Sequence, residues 1–355
     1  MLLWAFGAGH CAPARSLPPA TPESGSVAAL HHIPDPPEAP PRAWRRWRIR
    51  ADVIGLAATG VPLNRHQEGL FMNWREALAT ERPLLLPCAH DGLSARLIQG
   101  AGFRAYSIGG FPLVGARYGW PDIGLAGLGE MANGVRDIVA ASTLPVLVDA
   151  DDGYGDAKNV TRTVRLYESM GVAALFIEDQ VSPKRCGHMA GKNVIPMQAM
   201  VTKVRAAVAA RDNPDTFIMA RTDARAVHGL DDALRRGEAY LNAGADGIFI
   251  EAPQSLDELE KVGRSFDVPQ LANMLEDGAT PMLSPAALAE LGFAMVAYPT
   301  SLIFRVAHGL REALARMRRG ELTSAPPELG FEEFKRIVGL DEWAALEERS
   351  NNPER

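Results

Sequence analysis

From residue 67 onward, short apolar runs alternate with longer stretches whose apolar residues recur every three to four positions. The apolar runs predict strands over 84–87, 104–108, 146–151, 175–178, 217–221, 247–251, 270–273 and 295–297. The longer stretches predict helices over 93–101, 128–141, 157–170, 197–210, 231–243, 256–265, 285–291 and 302–319. A strand, a loop and a helix repeated in this order build βαβ units and a parallel sheet. Eight such units in about 250 residues predict the α/β class and a (β/α)8 TIM barrel. An open doubly wound sheet would carry a Gly-rich turn after its first strand, and Pro87-Cys-Ala-His-Asp91 is not one.

The polar residues fall where the strands stop. The third strand leads into Val148-Asp-Ala-Asp-Asp-Gly-Tyr-Gly155, with Asp149, Asp151 and Asp152. The fourth ends at Glu178 and Asp179, the fifth at Arg221 and Asp223, the sixth at Glu251 and the seventh at Asn273. In a barrel these termini meet on one rim, the rim that carries active sites. Alternation along a strand would turn Asp149 and Asp151 to the same side. Two carboxylates on one face repel unless a cation or a proton lies between them, and hard oxygen donors suit Mg²⁺ or Mn²⁺. No basic residue adjoins them in sequence. The lone Arg221 among acids supplies a counter-charge for an anionic substrate.

A long connection, residues 180–196, follows the fourth strand, as functional lids do. It places Cys186 among Lys184, Arg185 and His188, a setting expected to lower the thiol pKa and fit it for proton transfer. Cys88 and Cys11 read as structural or incidental.

Composition changes this picture only at the edges. Residues 1–60 are rich in Pro, Ala and Ser and keep no helix or strand period, so they are expected to be a disordered, dispensable extension. Within them, residues 42–50 form a basic stub with two Trp. The barrel is expected over 61–320 and a C-terminal helical segment over 321–355. Of the 355 residues 47% are hydrophobic, enough for a large core. A net charge of −6 argues against nucleic acid as a partner. Three cysteines do not make a disulfide framework, and a reducing, cytoplasmic setting is expected. No apolar run reaches the roughly 18 residues that span a bilayer.

Together with Ile177-Glu-Asp-Gln180, Lys184-Arg-Cys-Gly-His188 and Arg221-Thr-Asp-Ala224, the 148–155 stretch resembles the isocitrate lyase/phosphoenolpyruvate mutase superfamily. Pro121-Asp122, Phe249-Ile-Glu-Ala-Pro253, Leu271-Ala-Asn-Met274 and Phe331-Glu-Glu-Phe334 fit the same pattern. The resemblance covers about residues 67–348 and implies a (β/α)8 barrel whose last helix packs on a neighbouring subunit, in a dimer or tetramer. It implies Mg²⁺ held by Asp149, Asp151 and Glu178 with Asp122 nearby, and a substrate carboxylate or phosphonate on Arg221. It further implies a pocket shaped by Glu251 and Asn273, and a loop, Lys184 to His188, in which Cys186 protonates the departing carbon. The implied activity is retro-aldol cleavage of a small 2-hydroxy di- or tricarboxylate, of the methylisocitrate or dimethylmalate kind. A phosphonomutase and an oxaloacetate decarboxylase or hydrolase are the alternatives. The chain departs from the lyase pattern after the second strand. There Tyr106-Ser-Ile-Gly-Gly110 puts Ser107 where the lyases carry Tyr and Gly109 where they carry Ser, leaving Gly109 and Gly110 to offer backbone N–H groups to an anion.

Overall fold

A computed structural model describes residues 73–321 and 329–351. The expected extension at 1–60, with Cys11 and the basic stub, lies outside the described residues. All eight strands form: β1 Leu84–Ala89, β2 Tyr106–Ile108, β3 Val146–Asp149, β4 Ala174–Glu178, β5 Phe217–Thr222, β6 Gly247–Ile250, β7 Leu271–Asn273 and β8 Met295–Tyr298. Every pairing between consecutive strands from β1 to β6 is parallel, as are β7 with β8 and β8 with β1. A parallel bridge between Ile248 and Gln270 joins β6 to the entry of β7. The sheet therefore curls into a nearly closed (β/α)8 barrel.

Strands that look continuously apolar in sequence serve two cores. One set of side chains fills the barrel: Leu84, Leu86, Leu147, Phe176, Phe217, Met219, Phe249, Leu271 and Met295. The alternating set, including Ile108, Val148, Leu175, Ile218, Ile248 and Val296, packs outward under the helices. With both faces buried, period-two polarity is lost, as in parallel sheets generally.

The expected helices are present within a residue or two: α2 Gly92–Gly100, α4 Leu128–Ala140, α5 Ala157–Ser169, α6 Met197–Ala210, α8 Leu230–Asn242, α9 Leu256–Gly263, α10 Pro285–Leu291 and α11 Ser301–Arg318. Three had no counterpart in the pattern: α1 Trp74–Thr80, α3 Gly110–Tyr118 and α7 Ala224–His228. The α1 helix is capped by Asn73 and Glu76 reciprocally and sends Trp74, fully buried, into the barrel interior. Gly110 and Pro112 disguise α3, yet both fall in its first turn, where a backbone N–H has no helical partner to lose. The C-terminal segment forms α12 Phe331–Ile337 and α13 Leu340–Asn351. Among the described residues no helix is long and apolar enough to cross a membrane.

Candidate active site

The strand termini do converge. One cavity at their C-terminal ends is lined by Asp122, Asp149, Lys184, Cys186, His188, Arg221, Glu251 and Asn273, together with Cys88 and Ser107. Two details of the acidic side differ from expectation. β3 stops at Asp149, and Asp151 has a positive φ of 47° in the following turn, so the two carboxylates are not related by strand alternation. What brings them together is the turn itself, closed by Asp151 N–H donating to Asp149 Oδ1 at 2.9 Å. Nor is the cluster without a basic neighbour. Lys184 Nζ lies 2.6 Å from both Asp122 Oδ1 and Asp151 Oδ1. Burial is the chief cause that lifts Asp151 to about 7; Lys184 opposes it, while Asp149 and Asp122 push the same way as burial. Burial likewise raises Glu178 well above the carboxylate range, against the pull of Arg221.

Arg221, at the end of β5, is the hub of the opposite side. Its Nε stands 3.0 Å from Asp223 Oδ2 and 3.2 Å from Glu178 Oε2, and its Nη2 donates to Asp223 Oδ1 at 3.1 Å. Its guanidinium lies over Phe249 and Phe176, at 5.1 and 5.8 Å from the ring centroids. Burial alone would raise Glu251, but Arg221 and His188 outweigh it and hold that carboxylate below its usual value. His188 Nε2 is 3.0 Å from Glu251 Oε1, and Nδ1 accepts from Ala279 N–H at 3.1 Å, which holds the ring between the two. Asn273 Nδ2 reaches the same carboxylate at 3.4 Å.

The 180–196 connection folds over this cavity, closed at its base by an antiparallel bridge between Gln180 and Val194. Gln180 clamps it from within, donating to Arg185 O at 2.8 Å and accepting from Arg185 N–H at 2.9 Å. Cys186 N–H donates to Asp122 O at 3.1 Å, tying the loop to the acidic side. The expected lowering of the Cys186 pKa is reversed. Burial raises it, with Asp122 and Glu251 adding to the rise, and a backbone hydrogen bond from His188 and the charge of Arg221 only partly offset them. Next to Cys186 in sequence, Lys184 is engaged by carboxylates, the His188 ring turns to Glu251, and Arg185 faces solvent.

The glycine pair also departs from its expected role. Gly109 N–H already donates to Cys88 Sγ at 3.1 Å, and Gly110 N–H to Asp149 Oδ2 at 3.3 Å. Gly110 serves instead by its lack of a side chain: a Cβ there would crowd Lys184 Nζ and Asp122 Oδ1 at 3.2–3.3 Å. Cys88, read from sequence as incidental, lines the cavity beside Ser107, and burial raises its thiol to about 11. Its place at the end of β1 was the available signal. Tyr106 is fully buried under the helices and Ser107 faces the cavity.

The donor chemistry fits a divalent ion. Glu178 Oε1 is buried without a hydrogen-bond partner, and Asp151 Oδ1 has an ion pair but no hydrogen bond. As they stand, no three His, Cys, Asp or Glu side chains among the described residues are gathered tightly enough to ligate an ion, because Lys184 stands between Asp122 and Asp151. Binding an ion there requires a rearrangement of that ion pair.

A parallel barrel with buried carboxylates, a buried arginine and a cysteine-bearing loop on its C-terminal rim defines an enzyme acting on small anions. Residues 75–318 match the family model described as phosphoenolpyruvate phosphomutase. The chain belongs to that family. It is 42% identical over 275 residues to a 2,3-dimethylmalate lyase of Eubacterium barkeri, covering 77% of this chain and 95% of that protein. A crystal structure of a 2,3-dimethylmalate lyase, described as a PEP mutase/isocitrate lyase superfamily member, aligns with a TM-score of 0.73 and 36% identity over 78% of this chain and 93% of the other. A chloroplastic carboxyvinyl-carboxyphosphonate phosphorylmutase of Arabidopsis thaliana is 39% identical, covering 76% of this chain and 81% of that protein. A phosphonopyruvate hydrolase solved with oxalate and Mg²⁺ aligns with a TM-score of 0.69 and 32% identity, over 78% of this chain and 96% of the other.

Proposed function

We propose that this protein is a divalent-metal-dependent carbon–carbon lyase of the methylisocitrate/dimethylmalate type. It cleaves a 2-hydroxy di- or tricarboxylate into a 2-oxo acid and a carboxylic acid. The observation that carries this reading is the Cys186 thiol. It lines the same cavity as Arg221 and the acidic cluster, and burial keeps it protonated at neutral pH. A positioned acid of this kind is what a carbanionic leaving fragment needs. Likeness to the dimethylmalate lyase supports the same class.

Asp149, Asp151 and Glu178, with Asp122 nearby, would hold Mg²⁺ or Mn²⁺. Such an ion lowers the pKa of a bound hydroxyl and polarises the adjoining carboxylate. The chain's own residues do the rest. Arg221 keeps its Nη1 end without a protein partner among the described residues, so it takes a substrate carboxylate and steadies charge that develops during cleavage. His188 and Asn273 hold Glu251 in place against it. In the cleavage the hydroxyl gives up its proton to solvent and its O–H electron pair becomes the carbonyl of the 2-oxo acid; the carbon–carbon electron pair stays on the carboxylic acid fragment, and Cys186 delivers the proton there and regains one from water after product release. The two free thiols, Cys88 and Cys186, support a reducing, cytoplasmic setting.

The test is a screen of the purified protein against 2-hydroxy di- and tricarboxylates with Mg²⁺, reading released 2-oxo acid. At least one substrate should turn over. EDTA should abolish the activity, and Mg²⁺ or Mn²⁺ should restore it. Phosphonate formation or loss by ³¹P NMR, with no 2-oxo acid from any hydroxy acid, would replace the lyase with a phosphonomutase.

A further inference from the structure

Lys192 lies on the descending limb of the loop, beyond the Lys184 to His188 segment, and its side chain is only 2% exposed. Buried ammonium groups are rare unless they are paired. This one is paired twice. Its Nζ donates to Gly187 O, within its own loop, and to Asp223 Oδ1 at 2.8 Å, just beyond the end of β5. Asp223 is the carboxylate that also grips Arg221 through Nε and Nη2. One buried acid therefore holds both the substrate-facing arginine and the lysine that fastens the loop.

Gly187 shows how close the loop comes. A Cβ at that position would run into Glu251 Oε1 and Arg221 Nη2. The backbone between Cys186 and His188 thus lies directly on the arginine–glutamate pair, and Lys192 is drawn to the carbonyl at that point of contact. The loop has other ties as well, among them Lys184 to Asp122 and Asp151 and His188 to Glu251. Gln180 clamps Arg185, and Cys186 N–H meets Asp122 O, both on the ascending side.

We propose that Lys192 is a positioning residue that latches the cysteine loop closed by tying Gly187 to Asp223, so that loop closure and the orientation of Arg221 are set by one shared carboxylate. The role rests on the lyase reading for its purpose, since a closed loop keeps Cys186 over the reacting carbon and excludes water. Its geometry stands without that reading. Opening the loop removes one of the two cations from Asp223 and leaves Arg221 as its partner, so the open state keeps no unpaired buried carboxylate at that point.

The experiment reads loop opening rather than turnover. Alkylation of Cys186 by iodoacetamide is followed by peptide mass spectrometry on the full chain in Mg²⁺ buffer, with amide hydrogen exchange of the β5 core strand as the control for general loosening. Losing a charge-assisted bond from the closed state should raise the Cys186 rate in Lys192→Met by about tenfold or more. Exchange in the β5 strand should not change. Lys192→Arg keeps a cation with several N–H donors and should recover most of the slow rate. Should Lys192→Met not fold, Gly187→Ala, which forces the same backbone off Arg221, should show the same selective rise. An unchanged Cys186 rate overturns the latch. Faster amide exchange in the β5 core strand, in parallel with the Cys186 rise, overturns it too, because it would report general loosening. A negative result in the hydroxy-acid screen leaves this readout intact, so the two readings fail separately.

Discussion

Lys184, Arg185 and His188 surround Cys186 in the chain, yet Lys184 points to Asp122 and Asp151, and His188 to Glu251. Burial, with Asp122 and Glu251, favours the neutral thiol and outweighs the His188 backbone N–H and Arg221, which favour the thiolate. A thiol with a raised pKa is a poor nucleophile at neutral pH but is fully loaded as an acid. Cys186→Ser keeps the size and supplies a much weaker acid, so kcat should fall by about 10²–10⁴-fold. KM should move little, because Arg221 still holds the carboxylate. Steady-state kinetics on the substrate found in the screen checks both. Deuterium incorporation from D₂O into the released acid should be lost with the thiol. Near-normal turnover in the serine variant would remove Cys186 from the chemistry.

Elements carry the residues to the rim, and the short ones matter most there. The α7 helix, five residues long, begins just after Asp223 and sends Arg225 to Glu258 on α9. The two bonds, Nε to Oε2 at 2.8 Å and Nη2 to Oε1 at 2.7 Å, form a bidentate pair that staples the segment after β5 to the helix after β6. Hydrogen bonding from Arg225 is the largest cause holding Glu258 below its usual value. A carboxylate with a depressed folded pKa stabilises the protein above the unfolded value of about 4.3 and loses that contribution as pH falls through the folded value. Arg225→Met should therefore cost about 1 kcal/mol at pH 7, with the pair partly exposed to water. The difference in melting temperature from the parent should shrink between about pH 5 and 3 (thermal melts across that range decide it). A gap that stays constant with pH would mean the loss is packing rather than charge.

At the scale of the molecule, the last three helices carry apolar side chains that stay exposed among the described residues. No residue of α11, α12 or α13 is buried. Leu310 and Leu314 on α11 are 59% and 63% exposed, and Phe331 on α12 is 77% exposed. Apolar surface of this extent on consecutive elements marks an interface. The resemblance implies a last helix packed on a neighbour, and a homo-oligomer, dimer or tetramer, is the occupant we propose. Light scattering of the purified protein should give a multiple of the 38.3 kDa chain mass. Leu310→Glu with Leu314→Glu should shift it toward the monomer, since a buried unpaired charge costs far more than an exposed one. A parent that is already monomeric ends the proposal.

The sequence by itself determined the eight-unit barrel. Strand and helix periods are local, and α-helices spanning 128–141 or 197–210 were legible to within a residue because their apolar stripes are long. It also determined which residues reach the rim, since Asp149, Glu178, Arg221, Glu251 and Asn273 all sit at strand ends and barrel topology sends every strand end to one place. What only the tertiary structure decided is how those groups pair. Lys184 neutralising Asp122 and Asp151, Lys192 reaching Asp223, and Cys88 meeting Gly109 all join residues far apart in the chain. Charge interactions depend on distance and on burial, and neither is a property of chain position. The same reason hid α3 and the turn at Asp151, whose conformations answer to the rim they help to build rather than to a pattern of their own.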